Sequence, residues 1–273
     1  MGSRRAPVFL VGCNRSGTTL ARFLLDAHKN LACPPESKFI AGLQAFLEYP
    51  QAEAGLLSLG FTKSDLRREM RRVAEAFLGG YARRRGKRRW VDKTPNYYRL
   101  LPFIDEIFEG EALYLLIVRH PLDCIDSLQE TFGDATPDYG DPEIARSVKR
   151  YGQGRRGWAG YWNEVNERLH VFSAAHPNRC HVFRYEDLVR TPAATLQRVF
   201  TFIGEKLPPD LVATALAKDH TPGFEDYKIR ATGGIHADGV GKWKSWPARE
   251  VAALWRLVGQ TAARFGYRAE TKG

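Results

Sequence analysis

The 273-residue sequence predicts an α/β fold in which a parallel sheet is flanked by helices. Two observations lead to this prediction. Short strand-like runs lie at residues 6–12, 89–94, 112–119 and 179–185, and the apolar character of the first and third is typical of strands buried on both faces. Longer segments with apolar residues at helical spacing separate them, at about residues 18–28, 38–49, 63–84, 98–108, 142–175, 192–203 and 248–265.

Length and composition favour one domain that spans residues 1–273. Hydrophobic residues make up 44% of the chain, which is enough for a large core, and neither a linker-like segment nor an internal repeat divides the sequence. Residues 132–143 and 220–243 are rich in Gly, Pro and Asp, so we predict that both are loops. Because the first follows the third strand and its helix, we expect it to form a lid over a site.

The net charge of +10 predicts an anionic partner, which could be nucleic acid, a membrane surface, or a phosphorylated or sulfated small molecule. The basic run "RRRGKRRW" at residues 83–90 is compatible with the first two, but a solvated helix end is the favoured interpretation. Neither a secretory signal nor an apolar segment of membrane length is present, which predicts a cytoplasmic protein without a transmembrane segment. The spacing of the four cysteines matches no metal or redox motif, so we expect reduced thiols and no metal.

The first motif is "FLVGCNRSGTTLARFLL" at residues 9–25. An apolar strand leads through Gly12, a polar loop and Gly17 into a helix, as in phosphate loops of the G-x-x-x-x-G-K-[ST] kind, although Thr18 stands where those loops carry lysine. Backbone N–H groups of such a loop bind anions unaided, and Arg15 adds a bidentate cation; a plain glycine turn is the alternative. The loop also offers the hydroxyl groups of Ser16, Thr18 and Thr19.

The second motif is "LYLLIVRHPLDCIDSL" at residues 113–128. Arg119 ends an apolar strand, and Ser127 lies about two helical turns further along the helix that follows. This pair could hold a second phosphate, whereas a structural arginine at a strand end is the alternative. Lys93 and Tyr185 follow two other predicted strands, and ligands gather at the carboxyl ends of parallel strands, so we expect one site at that edge.

Together the two motifs resemble those of the sulfotransferase family that uses 3′-phosphoadenosine 5′-phosphosulfate (PAPS), and the resemblance covers most of the chain. It implies the sulfotransferase fold, which is a single-domain sheet of the P-loop type, and a reaction that needs no metal. It also implies that Arg119 and Ser127 bind the 3′-phosphate of the donor. The 5′-phosphosulfate would be bound by Arg15, Ser16, Gly17, Thr18 and Thr19.

The nearer likeness is to the tyrosylprotein sulfotransferase branch and its bacterial relatives. In those enzymes a short strand and then an acidic residue follow the first helix, and Glu36 in "CPPESKFI" occupies that place. The resemblance implies that Glu36 is the general base that takes the proton of the acceptor hydroxyl. An acid stabilised by a helix N-terminus is the alternative.

Three later segments match the same family. Lys93 in "WVDKTPNYY" would stabilise the charge that builds on the leaving phosphate, as would Arg15. Tyr185 in "VFRYEDLVRTP" would contact the donor nucleotide. Lys242 in "GVGKWKSW" would reach the 3′-phosphate side, and Trp243 would bind with the donor by packing near the adenine, or would pack in the core.

Several neighbouring residues have expected roles in support of this site. Asp92 either orients Lys93 or pairs with surface arginines, and Glu186 and Asp187 cap a helix. Three aromatic residues of a helical segment interrupted by glycine are expected in the core rather than in the acceptor wall: Trp158, Tyr161 and Trp162.

The expected function is transfer of a sulfuryl group from PAPS to a hydroxyl of a small-molecule or lipid-linked acceptor, such as a secondary metabolite or a glycolipid, and no nucleic-acid partner is expected. Two alternatives remain. An ATP-dependent small-molecule kinase would need magnesium and a replacement lysine, whereas a non-enzymatic binder of anionic lipid or nucleic acid would not depend on Glu36. The acceptor pocket is expected between residues 38–84 and 142–175, and no transition-state residue is assigned within residues 220–243.

Overall fold

The fold is built on one parallel sheet of five strands, in a computed structural model that describes residues 6–136, 142–217, 220, 221, 223 and 234–269. The strands are β1 (Val8–Gly12), β2 (Leu31–Ala32), β3 (Arg89–Lys93), β4 (Leu113–Val118) and β5 (Cys180–Arg184). They lie side by side in the order β2-β3-β1-β4-β5, and each neighbouring pair is parallel. The predicted fold class, an α/β protein with a parallel sheet flanked by helices, is confirmed.

Helices cover both faces of this sheet. In chain order they are α1 (Thr18–Asp26), α2 (Phe39–Leu47), α3 (Pro50–Ser58), α4 (Lys63–Arg84), α5 (Leu101–Ile107), α6 (Pro121–Phe132), α7 (Pro142–Tyr151), α8 (Gly154–Ala175), α9 (Tyr185–Arg190), α10 (Pro192–Phe202), α11 (Leu211–Thr214) and α12 (Ala248–Arg264). Short 3₁₀ turns lie at Pro95–Arg99, Ala215–Ala217 and Lys242–Ser245. Within the described part of the chain, none of the helices is long and apolar enough to cross a membrane.

Strand β1 shows why the strands are continuous apolar runs. Successive side chains of a strand point to opposite faces of the sheet. Phe9 and Val11 therefore pack into one core cluster, and Val8 and Leu10 pack into the other. Because helices cover both faces, all four side chains are fully buried.

The register brings the loops that follow the strands to one edge of the sheet. Leu10 in β1 pairs with Lys93 in β3, and Gly12 at the end of β1 pairs with Ile117 in β4. Since neighbouring strands run in the same direction, the segments that follow them emerge side by side. Lys93 and Arg119 therefore lie on either side of the first glycine-rich loop.

The aromatic residues of α8 pack against this edge of the sheet. Trp158, Tyr161 and Trp162 are fully buried, so their predicted place in the core is confirmed. Trp162 Nε1 donates a hydrogen bond to the Arg119 carbonyl oxygen at 3.2 Å, and Tyr161 accepts one from Asn14 Nδ2 at 3.0 Å. The core thus makes direct contact with two of the segments that carry predicted site residues.

Helix α4 has the predicted bounds of residues 63–84, whereas the predicted helix at residues 142–175 is divided into α7 and α8. Thr62 and Asp65 form a reciprocal capping box that starts α4. The division of the other helix lies at Gly152, whose φ of 95° is incompatible with a right-handed helix.

The basic run at residues 83–90 is partly internal. Arg89 is buried and donates to two backbone carbonyl oxygens at 2.6 and 2.5 Å. Lys87 Nζ lies 3.1 Å from a carboxylate oxygen of buried Asp26. The predicted solvated face is therefore wrong for Arg89 and Lys87, because these cations hold β3 and α4 to their neighbours.

The two predicted loops are described only in part. Residues 137–141 lie outside the described residues, and with them the expected lid. In the second loop the described residues are 220, 221, 223 and those from 234 onward. The C-terminal part of this loop, from Gly239 to Trp243, contacts the site described below.

Candidate active site

The loop after β1 requires glycine at two positions. A Cβ atom on Gly12 would lie 2.6 Å from the Ile117 carbonyl oxygen, because β4 passes close by. Gly17 has a φ of 95°, and a Cβ atom there would overlap the Tyr185 ring. Arg15 also has a positive φ, 68°, which is uncommon for a residue other than glycine. This tight turn directs the N-terminus of α1 toward the edge of the sheet where the strands end.

Ser16 lies inside the loop. Its hydroxyl donates to the Cys13 carbonyl oxygen at 2.6 Å, and its backbone N–H donates to the same oxygen at 3.1 Å. In this conformation Ser16 shapes the loop rather than presenting its hydroxyl hydrogen to a ligand. The N–H groups of Thr18 and Thr19 begin α1, where amides have no partner within the helix, so the anion-binding capacity is concentrated there.

Arg15 connects the first motif to the second. Its Nε donates to Ser127 Oγ at 3.2 Å, although the two residues are 112 positions apart. Arg119 Nη1 donates to the Arg15 carbonyl oxygen at 2.8 Å, and the Arg119 guanidinium lies 4.7 Å from the centroid of the Tyr185 ring. The structure therefore brings these four predicted site residues together at the ends of β1, β4 and β5.

Arg119 is nearly buried and incompletely bonded. Only 7% of its surface is exposed, and its Nη2 donates to the Gly239 carbonyl oxygen at 2.6 Å. Its Nε is buried with no hydrogen-bond partner among the described residues. A buried donor without a partner costs free energy, and a bound anion would remove that cost. The residues present therefore fit a phosphate group at this position.

The segment that carries Lys242 lies along α6. Both carboxylate oxygens of Asp123 accept from the Gly241 N–H at 2.8 Å, and Lys242 Nζ lies 3.5 Å from Glu130 Oε1. Burial raises the pKa of Asp123 above its ordinary value. Asp123, Ser127 and Glu130 are three or four residues apart and so share one face of α6. Lys242 is therefore placed on the helix face that carries Ser127.

Trp243 lies in the core. Its ring stacks on that of His120, with centroids 5.2 Å apart and planes within 7°, and only 3% of its surface is exposed. His120 is also stacked against Trp255 on α12. Of the two predicted places for Trp243, near the adenine or in the core, this packing favours the core.

Glu36 and Lys93 form a second cluster, at the ends of β2 and β3. Lys93 Nζ donates to Glu36 Oε1 at 3.1 Å, and Lys38 Nζ lies 3.3 Å from Glu36 Oε2. Lys93 is fully buried, whereas 19% of the Glu36 side chain is exposed. The carboxylate is thus oriented by an ammonium group at each oxygen and is still accessible to a molecule at the edge of the sheet.

Comparison with known proteins identifies the family. A family model described as the sulfotransferase family matches residues 7–209, a range that contains both motifs and the Glu36–Lys93 cluster. The chain belongs to the sulfotransferase family. The resemblance inferred from the two motifs is confirmed.

Two relatives match parts of this sulfotransferase. Nodulation protein NoeE of Sinorhizobium fredii is 33% identical over 132 residues, which are 46% of this chain and 31% of NoeE. A putative protein-tyrosine sulfotransferase of Caenorhabditis briggsae is 26% identical over 199 residues, which are 72% of this chain and 64% of the relative. The matches thus span less than two thirds of the length of either relative.

Solved structures share the fold of this sulfotransferase. The sulfotransferase domain of the Synechococcus PCC 7002 olefin synthase has a TM-score of 0.67 at 23% identity, and the match covers 98% of each chain. A mouse sulfotransferase complexed with 3′-phosphoadenosine 5′-phosphate (PAP) has a TM-score of 0.54 at 12% identity. The match covers 94% of this chain and 84% of that chain. At these identities the likeness shows the fold.

In this sulfotransferase Asp92 supports the segment that carries Glu36. Its Oδ2 accepts from Ser37 Oγ at 2.9 Å, its Oδ1 accepts from Thr94 Oγ1 at 3.2 Å, and the residue is fully buried. The predicted pairing with surface arginines is therefore wrong. Burial raises the pKa of Asp92 to about 6. Sequence analysis missed the contact with Ser37 because 55 positions separate the two residues.

Glu186 links the segment that follows β4 to Tyr267, which follows α12. Its Oε1 accepts from the His120 N–H at 2.8 Å, and its Oε2 accepts from the Tyr267 hydroxyl at 2.7 Å. The predicted role of Glu186 as a helix cap is therefore wrong. No local signal in the sequence indicates this bridge, since its two partners lie 66 and 81 positions away.

Proposed function

We propose that this sulfotransferase transfers a sulfuryl group from PAPS to a hydroxyl group of a small-molecule or lipid-linked acceptor. The observation that carries the proposal is the contact between Arg15 and Ser127, which joins the two predicted phosphate-binding motifs in one site. A donor with phosphate groups on both its 5′ and 3′ oxygens matches such a site better than ATP, whose phosphates form a single chain.

The donor site has two parts. The 5′-phosphosulfate binds at the N-terminus of α1, where the amides of Thr18 and Thr19 and the guanidinium of Arg15 offer hydrogen bonds. The 3′-phosphate binds beside Ser127 and Arg119, whose buried Nε gains a partner, with Lys242 on the same side. PAPS supplies the sulfuryl group, which is activated by its bond to the 5′-phosphate.

The reaction needs a base and a means to stabilise the leaving phosphate. Glu36 takes the proton of the acceptor hydroxyl while the hydroxyl oxygen bonds to sulfur and the bond between sulfur and the phosphate oxygen breaks. Lys93 and Arg15 stabilise the negative charge that develops on that phosphate. The complete burial of Lys93 strengthens its interaction with that charge, because the local dielectric is low. The products are a sulfate ester and 3′-phosphoadenosine 5′-phosphate (PAP).

An ATP-dependent kinase is less well supported. Thr18 occupies the place of the phosphate-loop lysine that contacts the phosphates of ATP. A kinase also requires magnesium to bridge the phosphates of ATP. The two functions therefore differ in nucleotide preference and in metal dependence.

Thermal unfolding with PAP and with ADP, both without magnesium, tests the donor. PAP at about a hundred times its dissociation constant should add about 2.7 kcal/mol of stability, which raises the melting temperature by several degrees. ADP should give a smaller shift because it lacks the 3′-phosphate. Ser127→Ala should reduce the PAP shift more than the ADP shift, because Ser127 lies at the proposed 3′-phosphate site and contacts Arg15 of the 5′ site. Equal shifts without magnesium would contradict the proposal, and so would no shift with PAP together with a shift from ADP plus magnesium.

The catalytic role of Glu36 is tested by Glu36→Gln. This variant should bind PAP as the parent protein does and lose at least about a hundredfold in the rate of sulfate ester formation, which is the range of general-base catalysis. Glu69→Gln is the matched control, since Glu69 lies on the exposed face of α4 in an ion pair with Arg72. A Glu36→Gln variant with parental activity toward a panel of hydroxylated compounds would contradict the role of Glu36.

A further inference from the structure

A cavity of about 490 Å³ opens beside the Glu36–Lys93 cluster. Lys38, which is ion-paired with Glu36, lines it, as does Thr94, which follows Lys93 in the chain. The remaining walls come from α2, the 3₁₀ turn at Pro95–Arg99, α7 and α8. Cavities of this size hold small-molecule ligands. The cavity therefore adjoins the Glu36–Lys93 cluster through Lys38 and Thr94.

The charged lining of this cavity is predominantly cationic. Four cations line it, Lys38, Arg99, Arg146 and Arg168, against one carboxylate among the described lining residues, that of Glu143. Lys38 is engaged with Glu36. We call the other three cations, Arg99, Arg146 and Arg168, the arginine cluster.

The arginine cluster is organised by two other side chains. Both Arg146 and Arg168 form ion pairs with Glu143, whose side chain is only 2% exposed. The guanidinium groups of Arg99 and Arg168 each lie 5.9 Å from the centroid of the Tyr98 ring. One buried carboxylate and one aromatic ring therefore hold three guanidinium groups around the same wall of the cavity.

The arginine cluster is accessible to solvent. Glu143 is shared by two arginines, and 57% of the Arg146 side chain and 44% of the Arg168 side chain are accessible to solvent. A further carboxylate, that of Glu164 on α8, interacts with the same groups: burial and then the charge of Glu143 raise its pKa, while Arg146 and Arg168 oppose the rise. Guanidinium groups in this arrangement bind oxyanions by paired N–H donors.

We propose that the acceptor of this sulfotransferase is itself an anion, with a carboxylate, phosphate or sulfate group that binds the arginine cluster while its hydroxyl lies at Glu36. This inference rests on the proposed function, since it specifies the acceptor class for the same site. The arginine cluster and Lys38, the ion-pair partner of Glu36, line the same cavity. The arginines therefore select acceptors that carry both an anionic group and a hydroxyl.

Matched pairs of probes test the proposal by binding, with no need to know the natural acceptor. The probes are 3-(4-hydroxyphenyl)propanoate with its methyl ester, and glycerol 3-phosphate with glycerol. Each is titrated into protein saturated with PAP, and separately into protein without PAP, and followed by calorimetry. In at least one pair the anion should bind about tenfold or more tightly than its neutral partner, as expected for charge-assisted hydrogen bonds.

Three variants locate the binding. Arg146→Gln and Arg168→Gln should each remove most of the preference for the anion, and both should keep the parental response to PAP, which shows that they are folded. Arg72→Gln should keep the preference, because Arg72 is an exposed arginine of α4 outside the cavity lining.

Each remaining outcome overturns the proposal. Neutral probes that bind as tightly as their anionic partners would refute it, and so would an anion preference that survives in both arginine variants. In that case Glu143 and the arginines form a purely structural ion-pair network. Failure of the proposed function is distinguishable, since it is registered by the absence of a response to PAP in the parent protein.

Discussion

The phosphate loop predicts a specific penalty for Gly17→Ala. Gly17 adopts a φ of 95°, and a Cβ atom at this position would overlap the Tyr185 ring, which in turn lies against the Arg119 guanidinium. The added methyl group therefore acts twice. It strains the backbone of the loop, and it displaces the aromatic ring that supports the proposed 3′-phosphate site.

The magnitude follows from these two terms. A residue other than glycine in the left-handed region costs about 1–2 kcal/mol. Loss of the contact between Tyr185 and Arg119 costs about 0.5–2 kcal/mol, as for other cation–π pairs. We therefore expect Gly17→Ala to lower the free energy of unfolding by about 1.5–4 kcal/mol, and the melting temperature by about 3–16 °C for a chain of this size.

The matched control is Gly86→Ala. Gly86 also has a positive φ, 66°, but a Cβ atom there would meet no atom within 4 Å. It should therefore show only the backbone penalty of about 1–2 kcal/mol. Urea unfolding measures the stability of both variants. Calorimetry with PAP measures the second effect, since Gly17→Ala should weaken PAP binding by about tenfold or more, whereas Gly86→Ala should leave it unchanged.

Two results would refute this reasoning. If both variants lost the same stability, the Tyr185 ring would yield to the methyl group without cost. If Gly17→Ala bound PAP as tightly as the parent protein, the loop and the Tyr185–Arg119 pair would not form the donor site.

Three further changes have defined outcomes. Although burial opposes it, the hydrogen bond from His220, with the Cys33 N–H and Lys87, lowers the pKa of Asp26 from 3.8 to about 2. The stability that Asp26 contributes is thus present above pH 3.8 and lost as the pH falls through 2, so Asp26→Asn should cost about 2–3 kcal/mol at pH 7 but little at pH 2 in urea titrations. Ser37→Ala should slow sulfate transfer about tenfold at unchanged PAP affinity, because it releases the Glu36 segment from Asp92; a parallel loss of PAP binding would contradict this. Lys242→Ala should weaken binding of PAP by about tenfold in calorimetry and leave binding of ADP unchanged. Weaker binding of ADP with unchanged binding of PAP would exclude Lys242 from the 3′-phosphate site.

The amino-acid sequence by itself determined the fold class and the position of most elements. Continuous apolar runs such as that of β1 are stable only as strands covered on both faces, and the capping box of Thr62 and Asp65 fixes where α4 begins. These features depend on neighbours a few positions apart, so the chain specifies them locally. The same holds for the motif around Gly12 and Gly17, whose spacing predicts a phosphate loop without reference to the rest of the protein.

Only the tertiary structure decided how the side chains of the site meet. The contact of Arg15 with Ser127, that of Ser37 with Asp92 and the ion pair of Glu143 with Arg168 each join segments that the sheet and helices bring together. The local sequence also predicted that Arg89 belongs to an exposed basic run, whereas Arg89 is buried against backbone carbonyl groups. Residue type and spacing indicate what a side chain can bind, but the order of strands in the sheet determines which distant partner it finds.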